Sequence, residues 1–104
     1  MKEMFATLVS ARSAVKTEDY FDGRKRYIGK SGLLQITEGN DEDSYKMKFS
    51  IVDNTGHVSF ISTSSGKLIK TDHFISIRTG RSLYIFSGKV TLTDEEKSIL
   101  QNAG

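Results

Sequence analysis

The chain has no cysteine and no proline. The first absence excludes disulfides, thiolate metal sites and cysteine nucleophiles, so stability rests on packing and hydrogen bonds. The second leaves the turns to asparagine, aspartate, serine and glycine, and most of the nine glycines stand between strand-like runs. Histidine is scarce, with only His57 and His73. No apolar run approaches the roughly 18 residues of a membrane span. Glu3, Thr7 and Ser10 are polar where a signal peptide needs an apolar block. The expectation is a cytoplasmic protein without membrane contact.

The 104 residues suit one domain, with room for a single core and little for a deep catalytic cleft as well. A net charge of +2 hides a segregation along the chain. Residues 1–30 carry seven basic and four acidic side chains, 31–55 two and five, 56–93 five and one, and 94–104 one and three. A sheet can bring the two basic blocks onto one face.

The stretch Gly66–Gly88 speaks most clearly. Residues 73–79 and 82–87 are rich in Ile, Phe, Tyr and Leu and are joined by Thr79-Gly80-Arg81-Ser82, which predicts a β-hairpin. A Gly80-Arg81 loop puts glycine at the first central position, as a type II′ turn requires. That register sets Ile77 opposite Tyr84 and Ile75 opposite Phe86, with Phe74, Leu83 and Ile85 on the other face. Two apolar faces suit a central pair better than an edge.

Elsewhere the pattern is also mostly β. The first fifteen residues read as a short helix or an irregular start, although Phe5, Thr7, Val9 and Ala11 would alternate as a strand. Thr17 to Tyr20 read as a single capped turn and Asp22-Gly23 as a turn. Arg24 to Ile28 read as a strand, Gly29 to Gly32 as a turn and Leu33 to Thr37 as the return strand. Glu38 to Ser44 is a polar loop. Tyr45, Met47, Phe49 and Ile51 alternate with Lys46, Lys48 and Ser50, giving one buried and one wet face, which Val58 and Phe60 continue on the partner strand. Lys67 to Lys70 and Lys89 to Leu92 complete about seven short strands. Thr93-Asp94-Glu95-Glu96 is a capping box that opens a C-terminal helix. The fold class is thus mainly β: residues 1–104 as a single β-rich domain, a small barrel or sandwich of six to seven antiparallel strands with a short C-terminal helix.

No constellation supports catalysis. Gly29-Lys30-Ser31 ends like a phosphate-binding loop, but Arg24 holds the position of its first glycine and a strand follows where a helix must open. His57 and His73 read better as a turn residue and a strand start than as ligands or bases. Asp72 and His73 are strand neighbours that point to opposite faces. The acidic loop at Glu38, Asp41, Glu42 and Asp43 lacks calcium-ligand spacing. No cofactor and no metal is expected.

The basic patches carry the best functional signal. Arg24, Lys25, Arg26 and Lys30 surround Tyr27, with Tyr20 and Phe21 upstream, while Arg78, Arg81 and Lys89 flank Tyr84. Cations track phosphates and exposed aromatics stack on bases, so the mixture fits a nucleic-acid groove. The competing reading makes Tyr27 and Tyr84 core residues and the cations a solvated rim.

Thr79 to Phe86 is similar in style to segments of short accessory proteins of bacteriophages and other mobile elements. The resemblance spans eight residues, names no family and transfers no functional residue; it implies a small non-enzymatic intracellular protein. The leading expectation is a non-enzymatic module that binds a protein partner, as a bacteriophage or mobile-element accessory protein or as an inhibitor of a host protein. The alternative is nucleic-acid binding through Arg24, Lys25, Arg26, Tyr27, Lys30, Arg78, Arg81 and Lys89. The exposed edges of a small sheet are also compatible with a homodimer.

Overall fold

The computed structural model describes residues 2–13, 22–39, 42–80 and 82–103. Seven strands form one antiparallel sheet among these residues: β1 (Lys2–Ser13), β2 (Ser31–Glu38), β3 (Tyr45–Val52), β4 (Val58–Ser62), β5 (Lys67–Lys70), β6 (Phe74–Arg78) and β7 (Ser82–Ser87). A single-turn helix α1 (Asp22–Lys25) precedes β2, and α2 (Asp94–Ala103) closes the chain. The mainly β reading with a C-terminal helix holds.

The strand order β4-β3-β2-β1-β7-β6-β5 puts the first strand at the centre. The N-terminal half of β1 pairs with β2, from Lys2↔Ile36 to Thr7↔Ser31, and its C-terminal half pairs with β7, from Thr7↔Ser87 to Ser13↔Ser82. One strand thus belongs to two half-sheets, and it turns between them at a bulge where Val9 is the extra residue between Leu8 and Ser10. This corrects the helical or irregular reading of the N-terminus. The bulge explains why the sequence misleads, because it shifts the alternation by one residue: Ala6 and Leu8 face the core before it and Ala11 after it.

The terminal strands β4 and β5 are consecutive in the chain, and the link between them closes the sheet on itself. Tyr45 and Gly66 exchange two backbone hydrogen bonds of 2.8 Å, so the chain pairs with β3 up to Gly66 and with β6 from Lys67. The result is a small barrel. A Cβ on Gly66 would stand 2.4 Å from the carbonyl oxygen of Arg78, so only glycine fits between β3 and β6 here.

The core fills the barrel. Leu8, Leu34, Phe49, Ile77, Tyr84 and Phe86 are its largest fully buried members, and the Phe49 and Phe86 rings meet tilted at 5.1 Å. A second, smaller apolar layer lies outside. Leu33 and Leu100 are buried but separate from the main core, and α2 packs on β2, β3 and β4. Strand β2 is therefore covered on both faces, and the outward Ser50 of β3 is buried rather than wet as its alternation implied. The capping box forms as read: Thr93 N–H donates to Glu96 Oε1 at 3.0 Å and Glu96 N–H to Thr93 Oγ1 at 3.1 Å.

The β6–β7 register is as read, with Ile77↔Tyr84 and Ile75↔Phe86. Its turn differs. The Gly80 backbone lies outside the left-handed region, which excludes type II′, and the ends are tied instead by Thr79 N–H to the Ser82 carbonyl at 2.9 Å and Ser82 N–H to Thr79 Oγ1 at 3.1 Å.

Three more expectations change. Arg24 to Ile28 form no strand; the last residues of α1 run into a turn that ends at Gly29, with φ of 85°. On β4, Ile61 faces the core and Phe60 is 55% exposed, because the pair Val52↔Val58 sets the opposite parity from the one read for Val58 and Phe60. Lys89 to Leu92 make no strand; Thr91 N–H donates to Ser31 Oγ at 3.0 Å across the corner where β2 and β7 part from β1. Tyr20, Phe21, Asp41, Arg81 and the capped turn at Thr17 to Tyr20 lie outside the described residues.

Candidate functional site

A sheet closed into a barrel has an inner face, which is the core, and an outer face, which must be covered by something or meet solvent. On the β2-β3-β4 side the cover is α2. On the β7-β6-β5 side no described element packs, and cross-strand pairs give the layout of that outer face directly. One row runs Val9 and Ser10, Ile85, Ser76, Ile69; the next runs Arg12, Leu83, Arg78, Lys67; Phe74 stands beyond the first row, opposite Ser87.

This face has an apolar centre and a cationic border. Ile69 is 58% exposed, Val9 45% and Phe74 44%, and Leu83 and Ile85 between them are half-buried. Scattered exposed apolar residues are ordinary on a protein surface, but five sharing one face form a patch of the kind that marks contact sites. Arg12, Arg78 and Lys67 are all exposed along one side. Asp72, in the β5–β6 turn, is the acidic residue nearest in sequence to this patch.

The cations read from sequence divide among several places. Arg24 is half-buried and donates from Nη1 to the Tyr84 hydroxyl, its guanidinium 6.0 Å from the ring centroid. Arg26 stands 5.2 Å from the Tyr27 ring centroid. Tyr27 and Tyr84 are buried, at 2% and 0% exposure, so neither ring offers a stacking surface. Lys25, Arg26, Lys30 and Lys89 are exposed. The Lys89 carbonyl accepts from Thr7, at the corner of the two half-sheets. Of the predicted set only Arg78 lies on the uncovered face; Arg81 is outside the described residues. Arg26 and Lys30 do come together, in a cleft against the β3–β4 turn.

That turn is organised by Asp53. Its Oδ1 accepts from Thr55 N–H at 2.9 Å, Thr55 Oγ1 at 2.6 Å and His57 N–H at 3.0 Å. The Thr55 hydroxyl and then the His57 amide hold the Asp53 carboxyl below its ordinary pKa, since both favour the charged form. His57 is accordingly a turn residue, its Nδ1 2.8 Å from Thr55 Oγ1. His73 sits exposed in the β5–β6 turn. Glu42 and Asp43 are exposed, and no cluster of His, Asp or Glu among the described residues could hold a metal ion. No described helix is long and apolar enough to cross a membrane.

Sequence reasoning missed Val9, Arg12, Lys67, Ile69 and Phe74 as a group. Their common face follows from the β1 bulge and the barrel closure, which local alternation does not report. No protein-family model, no curated protein and no solved structure matches the chain.

Proposed function

We propose that this chain is a non-enzymatic interaction module that binds a protein partner through the outer face of β7, β6, β5 and the second half of β1. The observation that supports it is the asymmetry of cover: α2 packs on β2, β3 and β4, while no described element packs on the outer face of β7, β6 and β5, where Ile69, Phe74 and Val9 are exposed. An apolar centre with a polar rim is the anatomy of a protein interface. The rim cations Arg12, Arg78 and Lys67 select a partner with carboxylates around its own apolar centre. A second copy of this face would set these cations against themselves, which disfavours the homodimer. Nucleic acid gains little from the apolar centre, and the buried tyrosines give it no stacking platform. A host protein bound and inhibited is the case that the mobile-element resemblance of Thr79 to Phe86 implies.

The test is a comparative capture with wild-type protein and the double variant Ile69→Ser, Phe74→Ser as baits. A partner retained by wild type and by Lys25→Ala but lost by the double variant supports the reading. Equal capture by all three baits overturns it. So does oligonucleotide binding that survives the double variant and falls steeply between about 50 and 200 mM salt, the mark of phosphate contacts.

A further inference from the structure

We infer that the cleft between the β1–β2 connection and the β3–β4 turn binds a small organic oxyanion, a carboxylate or phosphate monoester carried on an apolar body. The cleft has a volume of about 260 Å³ and is lined by Arg26, Lys30, Ile51, Val52, Asp53, Asn54 and Ser59. It is remote in sequence from the bare face of β5–β7 and independent of that proposal.

The argument starts from the donors. Arg26 and Lys30 supply a guanidinium and an ammonium, and the side chains of Asn54 and Ser59 add an amide and a hydroxyl. Guanidinium forks match carboxylate and phosphate oxygens in pairs, while an ammonium adds a movable point charge. Both cations sit on a turn that the fold holds in place. Tyr27 is buried in the barrel, Lys30 N–H donates to the Tyr27 carbonyl at 3.0 Å, and the Lys30 carbonyl accepts from Leu8 N–H at 3.1 Å. Arg26 is steadied by Nη2 donating to the Tyr27 hydroxyl at 3.4 Å, which leaves the rest of its fork for a ligand.

Among the described residues, Asp53 is the one carboxylate lining the cleft. Its Oδ1 takes three donors from Thr55 and His57, which hold that oxygen in the turn, while its charge still counts in the cleft. Two cations against one carboxylate leave a net positive site, which a monoanion neutralises and a dianion overshoots by one. Ile51 and Val52 form the apolar wall, and this selects an anion with a hydrocarbon or aromatic body over a bare ion. The volume is below the roughly 300–1,000 Å³ of drug-sized sites, which limits the ligand to a small molecule.

The experiment is a titration of ¹⁵N-labelled protein with three probes: phenyl phosphate, benzoate and uncharged benzyl alcohol. The inference expects saturable amide shifts confined to residues 26–30 and 51–59 with phenyl phosphate, benzoate or both, and none with benzyl alcohol. Arg26→Gln and Lys30→Gln should each weaken binding by about tenfold or more, as loss of a charge-assisted contact does. Arg26→Lys should keep part of it. Both side chains are exposed, so the variants should fold, and their spectral dispersion checks this. No saturation by either anion up to about 20 mM, an equal response to benzyl alcohol, or shifts unchanged in both glutamine variants would each overturn the inference.

Discussion

Replacing Gly66 by alanine tests the closure of the barrel at one atom. The added Cβ would lie 2.4 Å from the Arg78 carbonyl oxygen, 2.9 Å from the Arg78 carbonyl carbon and 3.1 Å from the Thr79 Cα. All three are backbone atoms at the end of β6, so no side chain can swing aside. Relief requires the 63–66 link to move off β6, off Tyr45, or both. Losing the two hydrogen bonds of the Tyr45–Gly66 bridge costs about 1–3 kcal/mol, taking 0.5–1.5 for each. Displacing the packed backbone adds about 1–3 kcal/mol. The expected loss is therefore about 2–6 kcal/mol. With a urea m-value of about 1.3 kcal/mol/M for a domain of this size, the unfolding midpoint should fall by about 1.5 M or more. Gly80→Ala is the matched control: a Cβ there meets nothing within 4 Å, and its backbone lies outside the left-handed region. Its midpoint should stay within about 0.3 M of wild type, inside the usual range for a surface change. If Gly66→Ala behaves like Gly80→Ala, the bridge does not close the sheet and the barrel description fails.

The other predictions concern the core, the cap and one titrating turn. Phe49→Ala, at 0% exposure and against Phe86, should cost about 3–5 kcal/mol by chemical denaturation; a loss under 1 would mean that the barrel interior collapses around the void. Thr93→Ala should cost about 0.5–2 kcal/mol and raise amide exchange along α2, since it removes the acceptor for Glu96 N–H. Asp53 has a depressed folded-state pKa, so the unfolded chain binds its proton first as pH falls. Its contribution is complete above the ordinary carboxylate pKa and is lost as pH drops through the lower folded value. Wild type should lose stability below about pH 4 more steeply than Asp53→Asn; parallel profiles would remove the Thr55 and His57 contacts as the cause. The paired substitution Ile69→Ser, Phe74→Ser should shift thermal stability little, because both side chains already face solvent in the folded state.

Local signals in this sequence were legible wherever one residue's neighbours along the chain decide its structure. Thr93 and Glu96 read as a capping box because that motif is complete within four residues, and the Gly80-Arg81 loop led to the right β6–β7 register although the type II′ turn that argued for it does not form. Strand β1 was not legible because its pattern records its places in two halves of one sheet and a bulge between them. The wet face assigned to Ser50 failed for a related reason, since its cover is a helix more than forty residues later in the chain. The same nonlocality hid the bare face. Arg12, Arg78 and Lys67 are far apart in sequence and meet in one row only through the pairings β1–β7–β6–β5. Tyr27 and Tyr84 show the converse: an aromatic among cations has the same local sequence whether the ring is a platform or a plug.

The sharing of β1 between two half-sheets also has a consequence for how the protein is made. Thr7 pairs with both Ser31 and Ser87, so β1 receives its second neighbour only after β2 to β6 have been synthesised. At about 5–20 residues per second, the gap between synthesis of the two ends is several seconds, long compared with hairpin formation in microseconds. Strands β1 to β4 can meander together during that interval, while the β7-facing edge of Thr7–Ser13 waits unpaired. A truncation before Ser82 removes that partner strand altogether and leaves the edge of Thr7–Ser13 without its backbone hydrogen bonds to β7, a template for pairing with another chain.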